Sequence, residues 1–136
     1  MNFSKSKWFT YTLLVGLLPI ATRLTLWTAA KPGTILAIAA SDVITLGLVL
    51  HISIINELEH VADRTNRDSN LKTILNGTSA FFITLYGALY ALAIIGEKNQ
   101  DFLDKASMLK SSLGLASASL LLSLVTSRHL AKGSTK

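Results

Sequence analysis

Nearly every Lys, Arg, Asp and Glu of the chain falls into short clusters, and between the clusters lie four stretches of roughly 20 residues that are almost free of charge. A helix of that length, rising 1.5 Å per residue, crosses a hydrocarbon core of ~30 Å. The pattern predicts transmembrane helices at residues 8–29, 35–56, 71–96 and 103–127, with a cytoplasmic loop at 57–70. The expected fold is all-α: a tetraspan four-helix bundle made of two hairpins, helices 1–2 and 3–4, forming one integral membrane domain over residues 1–136.

Composition agrees with the pattern. Of 136 residues, 50% are hydrophobic and only 15% charged, with a mean hydropathy of +0.46, too apolar for an ordinary small soluble domain. Trp8 and Trp27 stand about 28 Å apart along a helix, one near each headgroup layer where indole rings settle. A cleaved secretory leader is the competing reading, since Lys5 and Lys7 precede the apolar run and Ala29 and Ala30 follow it. That run is longer than a leader's core and contains Pro19 and Arg23, so an uncleaved span is expected.

Lys5, Lys7, Arg64, Arg67, Lys72, Arg128, Lys132 and Lys136 fall on one side of the four spans, against Lys31, Lys98 and Lys105 on the other. Eight against three predicts both termini and the middle loop in the cytoplasm, in a plasma membrane of the bacterial inner-membrane type. The same bias argues against dual topology. The net charge of +5 then follows from topology and attraction to anionic lipid, and no segment is large enough to present a basic face to nucleic acid. With no cysteine, disulfides, thiolate metal sites and cysteine nucleophiles are excluded.

Lys31-Pro32-Gly33-Thr34, between the first two spans, suits a type II turn. In a hairpin about that turn, residues equally far from its centre lie level. Arg23 is nine residues before Pro32, and Asp42, the only acid within a span, is nine after Gly33. An intramembrane Arg23–Asp42 ion pair is expected, because an isolated charge at depth costs from ~3 to more than 10 kcal/mol. The alternative is that Arg23 reaches the outer headgroups and stacks on Trp27. With either geometry, Asp42 could titrate or bind a cation in a pathway.

The other polar span residues are His51, Asn56 and Asn76. His51 is half a helical revolution from the Asp42 face, which disfavours a relay between them, and a hydrogen bond to another helix is its expected role. Asn56 and Asn76 would meet across the middle loop. Pro19 removes a backbone bond and predicts a kink.

Two small-residue stripes predict close helix packing. One is Ser112, Ala116, Ser119, Ser123 and Thr126 on the fourth helix; the other is Gly77, Ala80, Thr84, Gly87 and Ala91 on the third, beside the aromatic row Phe82, Tyr86 and Tyr90. They either join helices 3 and 4 within one chain or form the face of a homo-oligomer, with hydroxyls toward a central polar path.

The one cluster with chemical potential is Asn56–Asp68, with Glu57, Glu59, His60, Asp63, Arg64 and Arg67. Glu57 and His60 have the Glu-x-x-His spacing of di-iron bundles, but such a site needs a second such pair and two more glutamates, which helices 3 and 4 lack. Surface ion pairs on an extension of helix 2 are the simpler reading, and Glu57, His60, Arg64 and Arg67 become candidates for holding a soluble cytoplasmic partner. Asp101 is the expected N-cap of helix 4, with Asp104 three residues on. There is no phosphate loop, nucleophile elbow or HExxH motif, so no enzymatic activity, metal or cofactor is expected.

Three functions remain open at this point: a non-enzymatic anchor or sensor subunit of a multi-protein system, a homo-oligomeric ion channel or pore, and a small proton-coupled transporter. Small transporters of this size place an essential acid in the first helix, where this chain has arginine. No motif carries a resemblance to a known family. By architecture alone, a small tetraspan without catalytic groups is similar to membrane components of bacterial defence, toxin-immunity or secretion modules.

Overall fold

In the computed structural model, which describes residues 5–60, 66–99 and 101–132, the chain first reverses on Lys31-Pro32-Gly33-Thr34. The Thr34 amide donates to the Lys31 carbonyl at 3.2 Å, and Gly33 has φ of +84°. A type II turn requires that left-handed residue third, where glycine has no side chain to clash. Two long helices are folded back by it: α1 (Lys5–Ala29) and α2 (Ala40–Glu59). They are followed by α3 (Asn66–Lys98) and α4 (Lys105–Lys132), and all four are long and apolar enough to cross a bilayer.

Every helix boundary but the end of α1 differs from the expectation by two to five residues. The second helix begins at Ala40 rather than Ile35. Residues 35–39 carry apolar side chains but no capping group, and Ala39 is still extended at φ −113°, ψ 152°. The helix starts where Asp42 falls in the first turn, against the positive end of the helix dipole. α3 starts five residues before its apolar run, and α4 begins at Lys105 instead of residue 103 and continues to Lys132. Hydropathy marks the apolar part of a helix, not its ends.

The N-cap of α4 is Asp104, not Asp101. Its carboxylate accepts from the Ala106 amide at 3.1 Å, the Ser107 amide at 3.3 Å and the Ser107 hydroxyl at 2.5 Å. These bonds, the Ser107 hydroxyl foremost, hold the Asp104 carboxyl below the usual carboxylate range.

α2 touches each of the other helices, α4 also touches α1 and α3, and α1 and α3 do not meet among the described residues. In cross-section the bundle is thus a rhombus whose short diagonal is α2–α4. That diagonal is close because α4 presents Ser112, Ala116, Ser119, Ser123 and Thr126, all buried, to the interior. α1 buries only Thr12 and Gly16 among its described side chains, and α3 only Leu75, Ser79 and Tyr86. α2 buries nine residues from Asp42 to Leu58, the broadest buried face of the four.

The core is layered. Ile54, Leu58 and Leu75 pack with Trp8, Leu71 and Leu122 at one end. Ile44, Tyr86 and Met108 pack with residues that include Leu48, Phe82 and Leu115 at the other. His51, Ser79 and Ser119 lie between these clusters on α2, α3 and α4. Trp8 is therefore a packing residue as well as an end marker, while Trp27 remains about half exposed.

Candidate functional site

Two polar assemblies join helices through side-chain bonds in the interior. The first lies across the α1–α2 hairpin. Arg23 donates through Nε to one carboxylate oxygen of Asp42, and through Nη2 to the other at 3.4 Å. Asp42 is buried, whereas the Arg23 side chain is 30% exposed. The expected pairing is thus present in the fold, with Arg23 turned to Asp42 rather than away to the headgroups. Thr12 and Ser53, bonded at 2.7 Å, keep the same register, being equally distant from the turn centre. Gly16 lets the helices approach: a Cβ there would come 2.6 Å from Leu46.

The second assembly is the layer around His51, eleven residues into a 20-residue helix, about 17 Å along its axis. Its ring is fully buried. Nδ1 lies 3.2 Å from Ser79 Oγ on α3, and Nε2 lies 2.9 Å from Ser119 Oγ on α4. Ser119 Oγ is also 2.8 Å from the Tyr86 hydroxyl and 2.9 Å from the Leu115 carbonyl. One assignment uses all four contacts. Ser119 donates to Leu115 and accepts from His51 Nε2–H and from Tyr86, and Ser79 donates to the lone pair on His51 Nδ1. The imidazole is neutral in this arrangement, and its bonded partners among the described residues are hydroxyls. Phe82 stacks on it at 4.7 Å and 20°.

Gly47 makes this layer sterically feasible. A Cβ at that position would lie 2.1 Å from Cζ of Tyr86, so the tyrosine ring rests on bare backbone. The sequence pattern singled out His51 and Ser119, the latter only as a small residue, and placed Tyr86 in an aromatic row. Ser79 and Gly47 were missed. A glycine one helical turn before a histidine within an apolar helix was the available signal, since glycine costs helix stability unless close packing needs it.

The expected packing faces divide. The α4 stripe is buried within the chain's own bundle, where Ser112 and Thr126 bond back to the carbonyls of Met108 and Leu122, so it does not border a path between copies. The α3 stripe does not meet it. Ala80, Thr84 and Gly87 are exposed, and nothing lies within 4 Å of a Cβ built at Gly77 or Gly87. Leu75, Ser79 and Tyr86 take the inward face instead, because Tyr86 fits over Gly47 and Leu75 joins Ile54 and Leu58.

Asn76 and Asn56 do not pair with each other. Asn56 is exposed, and the buried Oδ1 of Asn76 has no partner among the described residues, nor has Ser123 Oγ. His60 donates from Nδ1 to the Asn56 carbonyl at 2.7 Å, closing the end of its own helix rather than joining Glu57. Arg64 and the side chain of Arg67 lie outside the described residues. Among the described residues no group of three or more His, Asp or Glu converges as metal ligands would.

No protein-family model, curated protein sequence or solved structure matches this chain.

Proposed function

We propose that the chain is a small multipass inner-membrane protein acting as a non-enzymatic anchor or sensor subunit of a multi-protein system, with both termini in the cytoplasm. The observation that carries this reading is the small-residue face of α3, which looks away from its own bundle with open space around Gly77 and Gly87. In hydrocarbon, where burying apolar surface brings no gain, such faces are how helices associate. Meanwhile the internal polar groups of the hairpin and of the His51 layer are bonded to one another. The basic bias of the termini and middle loop supports the orientation.

The test is a pair of bulky substitutions, Gly77→Leu with Gly87→Leu, which the chain's own packing accommodates. Thermal stability in detergent should stay near wild type, while species co-purifying from membranes, or the oligomer, are lost. Charge reversal at Arg64 and Arg67 should release a soluble partner and leave lateral association intact. If both variants keep every associated species, the subunit reading fails.

A homo-oligomeric channel is the second reading; its path would run between copies along the outward face of α3, where Thr84 is exposed, because the His51 layer is closed inside each chain. It requires ion flux through liposomes holding the purified protein alone, reduced by Gly77→Leu with Gly87→Leu. No flux over a range of voltage and pH eliminates it.

A further inference from the structure

At the end of the bundle where α1 joins α2 and α3 joins α4, a half-enclosed cavity of about 220 Å³ opens between the start of α2, the end of α3 and the start of α4. Leu36, Ile38, Ala93, Leu103, Met108 and Leu109 give it apolar walls, and Arg23 and Lys105 reach it from different helices. A water molecule's share of liquid is about 30 Å³, so the space exceeds what a single ordered water fills.

Its charged side chains favour an anion. Among the described residues no carboxylate lines it. Arg23 spends Nε and one Nη2 hydrogen on Asp42, which leaves three of its five N–H groups unengaged. Its charge is largely cancelled by Asp42, but Lys105, the other cation lining the cavity, has no ionic partner among the described residues. Ala40 and Ser41 also line the cavity. Their amides precede the first intrahelical bonds of α2, made by Asp42 and Val43 to the Ala39 carbonyl, and Ala39 supplies no side-chain cap. These two backbone donors have no partner among the described residues and stand beside two cations, at the end of α2 that carries Asp42 in its first turn.

A free inorganic anion would satisfy those donors but would lose hydration against six apolar side chains. An anion attached to a hydrocarbon chain satisfies both halves of the cavity. We propose that this cavity binds an acidic phospholipid, its phosphate held between Lys105, Arg23 and the first amides of α2, and its acyl chain lying along Leu36, Leu103 and Met108.

The experiment uses the full chain, purified in a neutral detergent and titrated with short-chain phosphatidylglycerol, short-chain phosphatidylcholine or inorganic phosphate. Thermal melting and native mass spectrometry are the readouts. Phosphatidylglycerol should raise the melting temperature and appear as a one-to-one adduct, and the other two should not. Lys105→Glu, an exposed change at the first residue of α4 that suits the helix dipole, should weaken phosphatidylglycerol binding about tenfold. Lys98→Glu, which alters the net charge equally at the same end but lies outside the cavity, should leave it within about twofold of wild type. Ala93→Leu, which fills the cavity without touching a charge, should remove the adduct. Equal effects of Lys98→Glu and Lys105→Glu, an equal shift with phosphatidylcholine, or an equal shift with inorganic phosphate would each overturn the proposal.

Discussion

Arg23 and Asp42 meet across a single hairpin, 19 residues apart in sequence, whereas His51 reaches Ser79 and Ser119 at separations of 28 and 68 residues. The charged pair is therefore a local structure, set as soon as α1 folds back on α2. The neutral layer is a tertiary structure that exists only when α2, α3 and α4 are all in place. Costly charges are neutralised by the nearest neighbour in the chain, and cheaper hydroxyl and imidazole groups are used to hold distant helices together.

Damage to the layer should accordingly loosen the whole bundle, and damage to the pair should loosen α1 alone. Gly47→Val is the strongest way to break the contrast. Its Cβ would collide with the Tyr86 ring, and a loss of about 3 kcal/mol in denaturant unfolding of the detergent-solubilised chain is expected. Wild-type stability would mean that Tyr86 does not sit on α2.

His51→Ala comes next, at about 2 kcal/mol, from a cavity plus two lost interhelical bonds. Hydrogen exchange should quicken in α2, α3 and α4 together. Asp42→Asn should cost about 1 kcal/mol, since Arg23 is partly exposed and can turn outward, with faster exchange confined to α1 and the start of α2. Exchanging the two residues, Arg23→Asp with Asp42→Arg, should restore only part of this. An arginine in the first turn of α2 opposes the helix dipole even when paired.

The smallest effect is at Asp104. Because the folded chain holds this carboxyl below its unfolded range, its contribution is present above the unfolded value and lost as the pH falls through the folded one. Asp104→Asn should flatten the acid limb of the pH–stability curve by removing a small contribution at neutral pH, most visible as faster exchange at Ala106 and Ser107, and should change little at pH below the folded value.

The same contrast explains what could be read from the sequence. The number of helices and the level of Arg23 with Asp42 were legible because Pro32-Gly33 marks the centre of one hairpin to within a residue. The connection between α2 and α3 carries no such turn motif, so the level of His51 against α3 had no fixed origin and Ser79 was invisible. The inward face of α3 was misread for a related reason. Gly77, Ala80, Thr84 and Gly87 look like a packing stripe, but which face turns inward depends on Gly47 of another helix accepting Tyr86. The late start of α2 was hidden because Ile35 to Ala39 are as apolar as the helix itself.

The layered core has a bearing on how the protein is made. In the proposed membrane setting, synthesis from the amino terminus delivers α1 and α2 first, and that hairpin enters lipid with its opposite charges already cancelled. The imidazole of His51 and the bare backbone at Gly47 then face acyl chains until the second hairpin arrives. A chain truncated and released after α2 would be a half-built product whose polar middle stays uncovered.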